Sequence, residues 1–190
     1  MSTIFPAVRA VGEGKGETIF YLTAKTITRT VAQEGFEVLR EKGMKYKVVT
    51  ITAKEKLCFM DETKCDPVHC PYARGHFDRV NDAVYELWTT KSRYDRETIR
   101  EQAEKWQVCP FEMCLDLSVW VDAVICDYNY VFDPTVHLKR FFGEGAGGDY
   151  IFLIDEAHNL AERGREMYSA SICREDAVRV RKVMKERAPR

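Results

Sequence analysis

Four short apolar runs constrain the fold of this chain more than any other feature. Residues 18–24 (TIFYLTA), 46–53 (YKVVTITA), 121–128 (VDAVICDY) and 150–156 (YIFLIDE) each have the length of one strand. They are rich in β-branched and aromatic side chains, which suit a pleated, packed surface. Helical periodicity fills the spaces between them. Ile4, Phe5, Val8 and Val11 fall on a helical repeat that Gly12-Glu13-Gly14 ends. Residues 26–42 repeat in the same way, with Val31, Phe36, Val38 and Leu39 as the apolar face and Gly43 as the stop. Two more helices are expected over 158–166 and 173–187. Strands that are almost wholly apolar need cover on both faces, so the pattern predicts an α/β fold built on a parallel sheet.

The stretch 57–118 breaks this rhythm. It holds Cys58, Cys65, Cys70, Cys109 and Cys114, two Cys-Pro pairs, and helix-like segments near 76–90 and 95–107. Lying between two expected strands, it reads as a mostly helical, cysteine-rich insertion. The chain of 190 residues suffices for one domain carrying such an insertion. The expected division is 1–56, 57–118, 119–172 and a terminal helix over 173–190. GEGAGGD (143–149) is the loop before the last strand.

Composition narrows the class further. With 45 % apolar and 31 % charged residues the chain is expected to be globular. No apolar run approaches the roughly 20 residues of a membrane helix, and the N-terminus lacks a basic segment followed by an apolar one. A cytoplasmic location follows as an expectation. Net charge is −1 but uneven: residues 1–57 carry ten Lys/Arg against six Asp/Glu, residues 58–160 ten against nineteen, and residues 161–190 nine against five. Ordinary solvated faces account for that asymmetry without a binding stripe.

Seven cysteines in a chain without an export signal point to metal rather than disulfides. LCFMDETKCDPVHC gives C-x6-C-x4-C, and Cys109 follows Cys70 after 38 residues. Four thiolates serve either a cubane iron–sulfur cluster or a tetrahedral zinc. The spacing is not the C-x2-C pairs of a zinc ribbon, yet zinc stays open by spacing alone. Cys114 would stand one helical turn from Cys109 as a substitute ligand. Cys126 and Cys173 read as small buried apolar residues, and His69 as either a zinc ligand or an exposed loop residue.

The last strand runs into Asp155-Glu156-Ala157-His158. The carboxyl ends of strands are where open α/β sheets bind ligands. There Asp155 would hold Mg2+ and Glu156 would orient and deprotonate a water attacking the γ-phosphate of ATP. His158 would couple this site to a neighbouring lobe. An acidic helix N-terminus is the plainer reading of Asp-Glu alone; the hydrophobic strand before the full D-E-A-H favours nucleotide. The basic half of such a site is missing. In GEGKGET (12–18), Lys15 is followed by Gly16 and not by Ser or Thr, and the segment runs helix to strand, the reverse of a phosphate loop.

Together these residues resemble the XPD/DinG family of iron–sulfur superfamily 2 DEAH-box DNA helicases over essentially the whole chain. YLTAKTITRTVA (21–32) is similar to the family's motif Ia region, KEKLC to the lead into its first cluster ligand, and LIDEAHNL to its motif II. CPFEMCLDLSVWVDAVICDYNYVFDP is similar to the fourth ligand and the strand that follows it. The resemblance implies a partial RecA-like P-loop NTPase sheet and a 4Fe–4S cluster on Cys58, Cys65, Cys70 and Cys109. It implies Mg2+ and ATP at Asp155 and Glu156, and ATP-driven 5′-to-3′ unwinding at a single-strand/duplex DNA fork, in DNA repair or a related process. Thr23, Lys25, Thr26, Lys54 and Lys56 would meet DNA phosphates; Tyr72, Tyr128 or Phe77 would stack on bases, with solvation for the lysines and core packing for the tyrosines as the plain alternatives. The absent phosphate loop is expected just upstream of Met1, with the arch domain and second motor lobe also missing. The chain is therefore expected to be a fragment without ATPase activity of its own. The alternative is a standalone metal-cluster module, with a degenerate motor fold, that binds single-stranded nucleic acid; a cluster-based redox sensor is a third option.

Overall fold

The computed structural model describes residues 3–24 and 26–187, the side chains of Thr26 and Glu186 excepted. In chain order its elements are α1 (Ile4–Gly12), β1 (Thr18–Thr23), α2 (Thr26–Glu41), β2 (Val48–Thr50), α3 (Lys54–Leu57), α4 (His76–Thr90), β3 (Arg93–Tyr94), α5 (Arg96–Trp106), α6 (Pro110–Ser118), β4 (Ala123–Asp127), α7 (Asn129–Phe132), α8 (Lys139–Phe142), β5 (Tyr150–Ile154), a 3₁₀ turn at Ala157–Asn159, α9 (Leu160–Met167) and α10 (Arg174–Arg187). The strands form one parallel sheet in the order β3-β2-β4-β1-β5. The expected α/β class and the four expected strands are present. β2 is shorter than its apolar run because ladder pairing to β4 ends at Thr50 opposite Ile125.

Alternation along the strands divides the core in two. On one face Ile19, Val48, Ala123 and Ile125 pack against Ile4, Ala7 and Val8 of α1 and Ala32, Phe36 and Leu39 of α2. Helix α2 therefore presents Ala32, Phe36 and Leu39; Val31 and Val38, expected on that face, point outward at 55 % and 38 % exposure. Phe5 of α1 is likewise exposed. Gly35 lies inward, where a Cβ would stand 2.6 Å from Ile4 Cδ1, so the two helices meet through a missing side chain.

The other face belongs to the cysteine-rich stretch. Phe20, Leu22, Val49, Val124 and Cys126 pack with Val80, Ala83, Val84 and Leu87 of α4, Ile99 and Ala103 of α5, and Met113, Cys114 and Leu117 of α6. The stretch also supplies β3, whose Tyr94 is fully buried and pairs with Val49. Sequence reading passed over β3 because two residues carry no periodicity. Residues 57–118 are thus the layer that covers the sheet's second face, and their apolar side chains are part of the sheet's own core. An aromatic group (Phe20, Phe141, Phe142, Tyr150 and Phe152, ring centroids 5.0–6.4 Å apart) closes that core near the open edge of β5.

The packing predicts opposite outcomes for two apolar substitutions. Leu117→Ala, in α6 but touching the sheet core, is expected to lower unfolding free energy by about 2–5 kcal/mol in urea titration. Val31→Lys on the outer side of α2 is expected to stay within about 0.5 kcal/mol of wild type.

Candidate functional site

Two sites can be built from the residues upward. The first lies at the carboxyl end of β5. Asp155 continues the ladder through its N–H to Leu22 C=O, at 3.0 Å, and its Oδ2 is buried without a hydrogen-bond partner. One strand away, Thr23 ends β1 and its Oγ1 is also buried and unpartnered. A buried carboxylate oxygen with nothing to accept from is costly unless a cation or donor meets it, so the donor set fits the Mg2+ expected there. Glu156 is exposed and sits in the left-handed region at φ 53°. For a non-glycine residue this conformation costs of the order of 1–3 kcal/mol and gathers at functional turns. It turns the chain sharply after the strand and directs Glu156 to solvent, where its carboxylate lies 3.3 Å from His158 Nε2. Asp155, Glu156 and His158 are thereby brought to one turn.

Tyr128 belongs to this site in a way the sequence did not reveal. It is fully buried, and its hydroxyl donates to the Asp155 backbone carbonyl. Burial, with Asp155 behind it, pushes the phenol above its usual range. Its ring is not available to stack on a base, contrary to the sequence expectation; the residue holds the turn after β5 from below. The reason is positional: Tyr128 follows β4 directly and lies under the neighbouring strands.

The second site is a small cavity lined by Cys58, Cys65, Cys70 and Cys109 with Lys54, Phe59, Lys64, Tyr72, Ala73, Pro110 and Phe111. The four cysteines named from the sequence converge on it from three segments. Cys58 closes α3, Cys65 and Cys70 come from the following loop, and Cys109 caps α6 with Pro110 in its first turn. Among the described residues no group of three or more His, Cys, Asp or Glu side chains stands close enough to hold a single ion. Four cysteines lining one small apolar cavity are a donor set that suits either a cubane cluster or a tetrahedral zinc. Lys54 bonds to the Cys65 thiol, which raises the lysine above its usual range; burial raises the Cys109 thiol. Tyr72 packs its ring on Phe59 at 4.6 Å beside the cavity, half-buried.

The remaining sulfurs are elsewhere. Cys114 is fully buried in the sheet core, its thiol pushed up to about 12 by desolvation, and is no substitute for Cys109. Cys126 is buried too, while Cys173 is exposed, against the expectation of a core residue. His69 is an exposed loop residue whose Nδ1 lies 2.8 Å from Asp66.

A groove of about 860 Å³ adjoins the cysteine cavity, with which it shares Lys54 and Phe111, and runs between α3, α6, α8 and the end of β4. Lys54 and Lys56 line it, as do Arg29 of α2 and Lys139 and Arg140 of α8, which the sequence reading missed because these elements lie about 110 residues apart. Glu55, Glu112 and Asp127 line it as well. Thr23 is buried, which leaves its side chain no surface for a phosphate. Lys25 lies outside the described residues, as does the side chain of Thr26. Phe77 is 85 % exposed on α4. Among the described residues no helix is long and apolar enough to cross a membrane.

The last strand of the parallel sheet thus runs into Asp155-Glu156, and the cysteine-bearing layer covers the sheet's second face. The DEAD_2 family model matches residues 38–177. The chain belongs to that family, the XPD/DinG-like helicases. It is 31 % identical over 104 residues to the Fanconi anemia group J protein homolog of Gallus gallus, a match covering 54 % of this chain and 8 % of that protein.

The strained turn and the two classes of thiol give two checks. Glu156→Gly is expected to raise thermal stability by about 1 kcal/mol, the released strain outweighing glycine's entropy cost. Brief alkylation of the native, metal-free chain should label Cys65 and Cys173 and spare Cys114 and Cys126, read by peptide mass mapping.

Proposed function

We propose that this domain serves an ATP-dependent DNA helicase that moves 5′ to 3′ along single-stranded DNA and opens the duplex at a fork. The observation that carries the proposal is the joining, in one sheet, of the Asp155-Glu156 turn and a cavity lined by Cys58, Cys65, Cys70 and Cys109. Asp155 would hold Mg2+, which would supply charge neutralisation for phosphoryl transfer. Glu156 orients the attacking water and takes its proton, and His158 at 3.3 Å fixes the carboxylate. Tyr128 keeps the turn in place. The four cysteines would hold a 4Fe–4S cluster, which supplies a rigid joint between α3, the loop after it and α6. Lys54, Lys56, Lys139 and Arg140 give the adjoining groove its charge for sequence-independent phosphate contact.

The 190 residues contain no G-x-x-x-x-G-K-[ST] segment. Hydrolysis by this chain alone is therefore expected to be negligible, since backbone amides and a lysine must cradle the phosphates. The charged groove beside the cysteine cavity also suits a second reading, a metal-cluster module for single strands that needs no nucleotide.

The test joins metal analysis to function on anaerobically purified chain. About four irons with matching sulfide, salt-sensitive binding to a single-stranded oligonucleotide and no ATPase are expected. When a chain bearing a phosphate loop is joined to residues 1–190, DNA-stimulated ATPase should appear and should vanish in Glu156→Gln. One zinc without iron, or an ATPase indifferent to Glu156, would overturn the proposal. Binding without any nucleotide response in the joined chain would favour the second reading.

A further inference from the structure

We propose that His76 and Arg79, both on the first turn of α4, are positioning residues that set where Cys109 and the Cys70 turn stand around the cysteine cavity. This rests on the cluster reading above.

Neither residue lines the cavity, and neither is placed there by any motif. His76 is 4 % exposed, and its Nδ1 accepts the Cys109 backbone N–H at 3.2 Å. That bond assigns the ring proton to Nε2. Nε2 is buried with no hydrogen-bond partner, and the carboxylate of Asp116 on α6 stands 3.9 Å away. Arg140 of α8 holds that carboxylate at 2.5 Å. The imidazole is thus fixed between the backbone of a cluster ligand and a carboxylate that is itself held.

Arg79 stands at the other end of that turn. Its Nε donates to Trp106 C=O at 2.9 Å, and its Nη2 to Gln107 C=O at 2.6 Å and Arg74 C=O at 2.8 Å. Trp106 and Gln107 lead into Cys109. Arg74 belongs to the turn that Cys70 opens, where Ala73 and Arg74 both donate N–H to Cys70 C=O. One guanidinium fork therefore ties the segment bearing the third cysteine to the segment bearing the fourth. The local backbone is shaped for it: Gly75 is left-handed at φ 66°, and a Cβ there would meet Arg79 Nη1 at 2.6 Å. Cys70 and Cys109 have 38 residues between them in sequence, so no local turn sets their separation; α4 does.

Groups that hold ligands without touching the metal commonly change affinity by about 10–100-fold when removed. The test uses the iron-loaded full chain. Iron loss to a ferrous chelator is timed, the reduced cluster is recorded by electron paramagnetic resonance, and circular dichroism follows folding of the metal-free chain. His76→Leu and Arg79→Met are each expected to speed iron loss at least about 10-fold and to alter the resonance, with an unchanged dichroism spectrum. His76→Asn, whose carbonyl oxygen can accept the same N–H, should restore slow loss. Wild-type rates in both His76→Leu and Arg79→Met overturn the proposal, as does His76→Asn behaving like His76→Leu, which would mark simple packing. Should His76→Leu fail to fold, Arg79→Met decides alone. A wild-type chain that takes up no iron overturns the cluster reading itself, and this inference falls with it.

Discussion

A parallel sheet cannot leave a face open to water, and everything else in this structure follows from how the second face is covered. α1 and α2 cover the first face with Ile4, Val8, Phe36 and Leu39. The second face carries Phe20, Leu22, Val49, Val124 and Cys126, and its cover comes from α4, α5 and α6. Those helices also carry or flank the cysteines. The metal-binding loops are therefore anchored on the same core that supports the strand ending in Asp155.

This arrangement has an energetic consequence. Met113 and Leu117 of α6 are fully buried, so the helix that begins at Cys109 is fixed by the sheet before any metal arrives. The segment 58–73 has no regular secondary structure and, apart from Cys70, no fully buried side chain. It relies on Asp66, which caps Val68 and His69, on Arg100, which holds the carbonyls of Leu57 and Cys58 at 2.7 and 3.3 Å, and on Arg79. Cys109 is thus preorganised by packing, and Cys58, Cys65 and Cys70 by polar ties, which are weaker individually.

Much of this was legible in the sequence, for identifiable reasons. The strands were visible because apolar runs flanked by glycine and charge have few alternatives. The cysteines were visible through their spacing, and Asp155-Glu156 through the strand before it. The facing of α2 was misread because Val31 and Val38 outweigh Ala32 and Gly35 in hydropathy, yet close helix packing selects the small residues. For Tyr128 the sequence left base stacking and core packing both open, because an aromatic after a strand looks the same whether it lies over a ligand or under a turn; burial decides for packing. The roles of His76 and Arg79 depend on hydrogen bonds across about 30 residues of chain, which no local pattern encodes.

The central claim is that the cysteine-bearing layer and the sheet form one core. Urea unfolding of the metal-free chain, followed at once by far-ultraviolet circular dichroism and by tryptophan fluorescence, tests it most directly. Trp88 and Trp106 lie in α4 and α5, within the layer, and Trp120 just beyond it. The account predicts one transition with coincident midpoints in both signals. A fluorescence transition that precedes loss of the sheet would contradict it, and would make residues 57–118 an appendage rather than the sheet's second face.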